Sequence, residues 1–289
     1  MSRSGPPAAS TEDSVRDGSL RITAPGLEAL RASIDRIDRA TADLLVRRAR
    51  MARRVALLKR LLNLPHRDPG REQEVRDHYA TILRKAGWSE ESLDNWLSTM
   101  LSASRDLQAQ LSIAIQGATG SWSELSLHRV LPSVNILPCD TVADAWRQTR
   151  TGAADAAWLA SHNSTIGDIE ATSSARHEAE TWLEVEQPIQ HALIAPAGVR
   201  VGELDHIEAH PLAFEQCAAS LARLVPRAQR VTAIDGAHAA AGLAQKRSTG
   251  VLASATVART FGLSVLHERM NDAPDNRTTF QLLLSKEIF

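Results

Sequence analysis

The chain has 289 residues, 43% of them hydrophobic, with 33 basic against 34 acidic side chains and a formal net charge of -1. That length suffices for two domains, each with its own core, and the charge balance argues against a dedicated nucleic-acid binder, so a basic cluster is local chemistry. Two cysteines, Cys139 and Cys217, are too few for a disulfide framework or a zinc site and read as buried thiols in a reducing compartment. Residues 1–25 are rich in Ser, Gly, Pro and charge, without the apolar core of a signal peptide or membrane span. They read as the disordered leader of a cytoplasmic protein.

From Leu27 to Leu62 the residues Leu30, Ile34, Ile37, Thr41, Leu44, Arg48, Met51, Val55, Leu58 and Leu62 recur at coiled-coil spacing. Arg48 interrupts this apolar seam. A guanidinium in a packed stripe loses hydration worth several kcal/mol and needs an anion there, so Arg48 is a candidate anion ligand. At 1.5 Å rise per residue, Lys59 lies roughly 16 Å from Arg48 and on the same face, within reach of a shared small dianion, whereas Arg31 lies roughly 25 Å away. If Arg31 serves the same ligand it comes from a second copy of the helix, which implies a dimer along the seam. The alternative is that Arg47, Arg48, Arg50, Arg53 and Arg54 form a solvated basic face or a nucleic-acid patch.

The heptad stops at Asn63-Leu64-Pro65-His66, and Asp68-Pro69 reads as an N-cap followed by proline at the first helical position. This predicts a short helix from Pro69 to about Lys85, with Arg71 and Glu72 in its first turn. Gly87 closes it and Ser89 caps a third helix, whose seam is Leu93, Leu97, Met100, Ser104, Leu107 and Leu111. Ser104 replaces an apolar residue there, with Gln108 one turn on. Polar residues on both seams suggest a polar pocket inside a helical bundle; a surface-facing stutter would give the same pattern.

From Leu27 to Ser112 the chain resembles the small all-helical chorismate mutases, which form intertwined homodimers of three-helix subunits. Arg31, Arg48, Lys59, Asp68, Arg71, Glu72, Ser104 and Gln108 match the positions of that family's site in order. The resemblance implies that Arg31 is contributed by the partner subunit, that Lys59 and Gln108 donate to the ether oxygen of chorismate, and that Glu72 binds the ring hydroxyl. Asp68, Arg71 and Ser104 would complete the pocket. The reaction so implied, a Claisen rearrangement to prephenate, needs a folded dianion and charge stabilisation, with no nucleophile or cofactor. Arg31 and Arg48 suit it as bidentate grips on two carboxylates.

After Ser112 short apolar runs alternate with helix-length segments: Ser112 to Gln116, Val134 to Leu137, Ala154 to Leu159, His191 to Ala195, Gly250 to Ala253, Leu263 to His267 and Thr278 to Leu284. That alternation predicts an α/β domain. Gly117-Ala118-Thr119-Gly120-Ser121 reads as a strand-to-helix turn with backbone amides free for an anion. Asn163 to Gly167 reads as a turn, His210-Pro211 as a helix start, and Asp275 to Thr278 as a turn entering a strand. His162 and His238 lack metal-ligand spacing, and no metal is expected.

Taken in order, Gly117-x-x-Gly120-Ser121-x-Ser123-Glu124, Asn163-Ser164-x-x-Gly167, His210-Pro211-x-Ala213-x-x-Gln216-Cys217 and Asn276-x-Thr278-x-Phe280 resemble the prephenate dehydratase domain. The resemblance implies two α/β lobes like a type 2 periplasmic binding protein, with prephenate in the cleft. Thr278 would be catalytic, and Asn163, Gln216 and Arg277 would bind substrate. The expected organisation is a leader over 1–25, a mutase domain over 26–111 and a dehydratase-like domain over 112–289, without the phenylalanine-sensing regulatory domain that usually follows.

Four departures stand out. The family's Glu before the Asn is His162, its Ser before His-Pro is Ala209, its Ser-Thr-Ala run is Asp235-Gly236-Ala237, and its Thr-Arg-Phe is Thr278-Thr279-Phe280. Because side chains alternate on a strand, Arg277 shares a face with Thr279 and is the candidate replacement for the missing cation. Dehydration couples loss of carbon dioxide to expulsion of the ring hydroxyl, which needs a proton donor beside that hydroxyl. The departures favour a relative that releases carbon dioxide and keeps the hydroxyl, as in the prephenate decarboxylases of specialised metabolism, including antibiotic biosynthesis. A divergent dehydratase and a non-catalytic prephenate-binding lobe are the alternatives.

Overall fold

The computed structural model describes residues 26–286; the leader expected over 1–25 lies outside the described residues. The chain divides into two units between Leu45 and Val46. In the first unit the described residues form the start of α1 (Leu27–Leu61), and its seam residues Leu30, Ile34, Ile37 and Leu44 are all exposed.

In the second unit the remaining apolar seam residues, Met51, Val55 and Leu58 of α1 and Leu62 just past it, are exposed as well, against the packed stripe that their spacing predicts. The buried residues of the helix are Ala56 and Leu57, whose side chains join a core with Leu111, Ile113, Trp158, Leu282 and Leu284. Arg53, Leu57 and Arg60 fall three and four apart and so share one face. That face is docked. Arg53 Nε lies 2.6 Å from Asp155 Oδ1 and its Nη2 donates to Gln110 O at 2.8 Å. Arg54 donates to Ser285 O, and Arg60 donates to Ser133 O and, at 3.0 Å, to Ala109 O. Burial lowers the Arg54 pKa, with Glu180 opposing. The solvated-face alternative therefore fails for Arg53 and Arg54, which with Arg60 donate to main-chain carbonyls at Gln110, Ser285, Ser133 and Ala109.

The Asp68 side chain accepts from Arg71 N at 3.0 Å and starts α2 (Pro69–Lys85), with Pro69 at a position where its missing N–H costs nothing. Ser89 accepts from Ser92 N at 3.2 Å at the head of α3 (Glu90–Ala109). The buried stripe of α3 is Leu93, Leu97, Leu101 and Ser104, with Leu101 taking the place expected for Met100.

Next come β1 (Ser112–Gln116), α4 (Trp122–Val130), β2 (Asn135–Cys139), α5 (Val142–Thr151), β3 (Ala156–Asn163), β4 (Gly167–Asp168), α6 (Glu170–Glu178) and β5 (Ala179–Pro188). The chain then crosses to β6 (His191–Ala195), β7 (His206–Ala209), α7 (Pro211–Gln216), α8 (Ala218–Leu224), β8 (Gln229–Thr232), α9 (Gly236–Ala241), β9 (Thr249–Ser254), α10 (Ala255–Thr260) and β10 (Ser264–His267), and returns in β11 (Arg277–Ser285). Lobe 1 carries the sheet β2-β1-β3-β11-β5, with β4 on β3, and lobe 2 the sheet β10-β6-β9-β7-β8. The two crossing segments are pinned together: Ile189 N donates to Asn276 O at 2.9 Å, and His191 N donates to Asn271 Oδ1 at 2.6 Å. Each lobe closes its own apolar clusters, and Cys217 lies in that of lobe 2, where burial pushes its thiol up to about 12. Cys139 is only partly buried. No helix among the described residues is long and apolar enough to cross a membrane.

Candidate active site

A cavity of about 1250 Å³ lies between the lobes. Lobe 1 contributes Ser121, Trp122, Asn163 and Thr278 to its wall, and lobe 2 contributes His191, His210, Gln216, Asp235 and Ser254. Its centre is a chain of buried polar side chains whose orientations follow from one another. Asn163 Oδ1 accepts from the backbone amides of Thr165 and Ile166, at 3.0 and 3.3 Å, in the tight turn ending at Gly167. Its Nδ2 must then donate, and it does so to Asn276 Oδ1 at 2.8 Å, Arg277 O at 2.9 Å and Thr278 Oγ1 at 2.9 Å. Asn276 Nδ2 in turn donates to Gln216 Oε1 at 3.0 Å, and the same oxygen lies 2.9 Å from His191 Nε2.

An acceptor oxygen obliges that ring nitrogen to carry the hydrogen. His191 is therefore the Nε2–H tautomer, with a bare lone pair on Nδ1. Burial lowers its pKa to about 4, with the Gln216 hydrogen bond opposing and His210 adding to the shift, so the ring is neutral at pH 7. Thr278, whose Oγ1 already receives a hydrogen bond, keeps its own hydrogen for a ligand. His210 Nδ1 accepts from Leu212 N at 3.2 Å as the cap of α7, which leaves the hydrogen of the neutral ring on Nε2; burial lowers this pKa too, with Asp235 opposing.

Asp235 ties the lobes. Its Oδ1 accepts from His238 N at 2.7 Å, capping α9, and its Oδ2 accepts from Ala118 N of lobe 1 at 2.8 Å. Gly117 has φ 109°, and a Cβ there would sit 2.8 Å from Asp235 Oδ2; a Cβ on Gly236 would meet Leu252 O at 2.2 Å. Both glycines are required by this contact and by the strand beneath it. Two amides of the Gly117 turn are consequently taken, Ala118 N by Asp235 and Gly120 N by Glu124, as in a structural turn rather than an anion site.

Asn163, Gln216 and Thr278 thus come together, while Arg277 does not join them. It shares the outer face of β11 with Thr279, is half exposed, and approaches Glu186 at 4.0 Å. Strand alternation puts Thr278 into the cavity and both neighbours out of it. Of the four departures only the run Asp235-Gly236-Ala237 lines the cavity: His162 is on the surface, bonded through Nδ1 to Asp168 Oδ1 at 2.8 Å, and Ala209 is buried in the lobe 2 core. Sequence reasoning left out His191, Asn276, His210, and the cations Arg147 and Arg150 of α5, which line the cavity beside Asp144 and Glu178. The His-Pro and Asn-x-Thr motifs held a signal for two of these; no local pattern marks His191.

The helical residues are more scattered, and none lines this cavity. In the first unit Arg31 pairs with Glu28 at 2.8 Å. In the second, Arg48 is partly buried, Lys59 Nζ donates to His66 O at 3.3 Å, Asp68 caps α2 and Arg71 pairs with Glu74 at 2.7 Å. Glu72 accepts from Arg105 at 3.1 Å, a partner the sequence did not single out, and Gln108 Nε2 donates to Ser104 Oγ at 3.2 Å. No cluster of metal-ligating side chains occurs among the described residues.

The prephenate dehydratase family model matches residues 113–288, and the chorismate mutase type II model matches residues 30–109. Arogenate dehydratase 1 of Petunia hybrida is 33% identical over 62% of this chain and 43% of its own length. A bifunctional chorismate mutase/prephenate dehydratase of Stutzerimonas stutzeri is 28% identical over 91% of this chain and 74% of its own. The prephenate dehydratase of Arthrobacter aurescens, solved in complex with L-Phe, superposes with a TM-score of 0.55 at 29% identity, covering 61% of this chain and 60% of that one. The chain spans less than half the length of the plant relatives it matches.

Proposed function

This chain belongs to the prephenate dehydratase family and carries a chorismate mutase type II segment ahead of the family domain, and from that premise we propose that it converts chorismate to prephenate and then removes carbon dioxide from prephenate with the ring hydroxyl retained. Residues 26–111 take the first reaction and 112–289 the second, in a homodimer paired along the exposed α1 seam. The exposure of Leu30, Ile34, Ile37, Leu44, Met51, Val55 and Leu58 supports that pairing, because a stripe of this length invites a partner. Arg31 from one copy and Arg48 from the other grip the two carboxylates of chorismate, Lys59 and Gln108 donate to its ether oxygen, and Glu72, Asp68, Arg71 and Ser104 complete the pocket. The cytoplasm is the compartment this reading expects.

For the second reaction the observation that carries the reading is the charge of the Thr278 network: every side chain hydrogen-bonded within it, Asn163, Asn276, Gln216 and His191, is uncharged. Losing carbon dioxide leaves an electron pair spread over the ring diene, and a ring carbon then takes up one proton. A carbanionic carbon accepts that proton from a weak donor such as the Thr278 hydroxyl or water, whereas expelling a hydroxyl requires protonating a far weaker base. The cation next to Thr278 on β11, Arg277, approaches Glu186 instead. Asn163 and Gln216 hold the substrate against Thr278. The dehydratase names of the relatives favour a second reading, in which water leaves as well.

Incubating the protein with prephenate at mild pH, and resolving products by mass, separates these readings. Loss of carbon dioxide alone is the expected result. Loss of carbon dioxide and water together makes the chain a dehydratase, and intact prephenate makes the cleft a binding lobe. Thr278→Ala is the control, expected to slow lyase turnover about a hundredfold while chorismate turnover persists.

A further inference from the structure

Three buried polar atoms at one place on the cavity wall have no hydrogen-bond partner among the described residues: Trp122 Nε1, His191 Nδ1 and Ser254 Oγ. They are neighbours. His191 and Ser254 are directly paired on the antiparallel β6–β9 ladder, so their side chains leave the sheet on the same side. The Trp122 and His191 rings meet edge to face with centroids 6.2 Å apart. His191 and Ser254 are 6% and 3% exposed. Buried polar atoms are nearly always paired, and three orphans together mark a place built to receive something.

Their chemistry selects what that is. The indole N–H only donates. The Nδ1 of His191 only accepts, because the Asn163–Asn276–Gln216 chain fixes its hydrogen on Nε2. A carboxylate cannot give His191 a hydrogen, a ketone cannot either, and an ammonium cannot accept from Trp122. A hydroxyl does both, and the Ser254 hydroxyl can turn to either role.

We propose that Trp122, His191 and Ser254 form a subsite for an alcohol hydroxyl of the ligand, with Trp122 donating to its oxygen and His191 accepting its hydrogen. Resting on the reading above, this deepens it: the group received is the ring hydroxyl of prephenate. An imidazole held with its lone pair inward takes a hydrogen bond from that hydroxyl and offers it no proton, so the hydroxyl is bound and kept.

The test uses two probes that differ only in the group concerned, cyclohex-2-en-1-ol and cyclohex-2-en-1-one, titrated into the full chain with 15N-labelled histidine. The His191 signal is assigned with His191→Asn. The alcohol is expected to give a saturable shift of the Nδ1 resonance toward its hydrogen-bonded position and the ketone none. Ser254→Ala and Trp122→Phe, checked for folding by circular dichroism, should each weaken the alcohol about fivefold, the effect of one hydrogen bond. Equal effects of both probes, or no effect of either, overturns the subsite, as does an undiminished alcohol shift in both folded variants, since Trp122 and Ser254 would then play no part in holding the hydroxyl. Prephenate is titrated separately into Thr278→Ala. If the alcohol shifts His191 and prephenate does not bind, the subsite stands and the proposed substrate falls.

Discussion

The helical segment and the cleft satisfy their polar residues in different ways. In the cleft, Asn163, Asn276, Gln216 and Thr278 come from distant points of the chain, are buried, and hydrogen-bond one another. Among the residues matching a mutase site, Arg31 and Arg71 turn to acids three residues away and remain largely exposed. A pre-organised polar centre needs partners that cannot drift, and the two-lobed fold supplies them within one chain. Local i,i+3 pairs on an exposed helix contribute a few tenths of a kcal/mol and release easily to a ligand or a second subunit. The contrast separates a polar network that the fold holds in place from local pairs that it leaves free to open.

The largest loss is expected from Arg48→Ala. If a dimer forms the mutase site, removing its seam guanidinium deletes a bidentate carboxylate contact and should cost several kcal/mol in the transition state, or roughly a thousandfold in chorismate turnover, with the dimer still folded. Near-normal turnover measured on purified protein would mean that the exposed cations serve no such site. Mixing Arg31→Ala with Arg48→Ala subunits sharpens the point, since exchange should restore a fraction of sites.

Two adjacent residues of α1 meet opposite surroundings. Leu57 is fully buried against the lobe 1 core, while Leu58 is 45% exposed in the single chain. Leu57→Ala should therefore cost about 2–5 kcal/mol in denaturant unfolding at any protein concentration. The cost of Leu58→Ala should be small in dilute monomer and grow with concentration if the seam pairs. Equal, concentration-independent losses would place both leucines in the same core and remove the seam as a dimer face.

Those two leucines also show how far the sequence is legible. The boundaries of α1, α2 and α3 follow from period and caps, because Asp68-Pro69 and Ser89 act locally. Which face of α1 docks is hidden, since it carries Arg53, Arg54 and Arg60, and arginines read as solvated until Asp155, Ser285 and Ser133 arrive from lobe 1. The strand β5 escaped notice because Glu180, Glu184 and Glu186 break its apolar pattern; it is an edge strand with one wet face. His191 opens an ordinary apolar run, and its tautomer depends on Gln216, Asn276 and Asn163, contacts that no window of sequence contains. Asn163 and Thr278 were legible through their motifs.

His191 gives the cleft a pH signature. Its pKa is about 4 in the folded chain against 6.5 unfolded, because burial penalises the imidazolium. Unfolding below pH 6.5 therefore takes up a proton that the native state refuses. The stability is fully present above 6.5 and is lost as pH falls toward 4, by up to about 3 kcal/mol. His191→Asn should flatten this part of the stability curve in urea titrations at pH 7, 6, 5 and 4. An unchanged slope would show that His191 is hydrated or charged in the native state, and the fixed tautomer would go with it.

The smallest expected effect belongs to Arg277, and for that reason it discriminates sharply. Its guanidinium stands on the outer face of β11, half exposed, 4.0 Å from Glu186, so its ion pair is worth a fraction of a kcal/mol after solvent screening. Thr278 between it and Thr279 points the other way, and a strand cannot turn Arg277 into the cavity without moving Thr278 out. Arg277→Ala should then leave kcat and KM for prephenate within about twofold and stability within about 0.5 kcal/mol. A loss of kcat by a factor of ten or more would mean that β11 changes register or that Arg277 reaches round the end of the strand during turnover. In that event a cation does approach the substrate hydroxyl, and loss of water together with carbon dioxide becomes the outcome to look for.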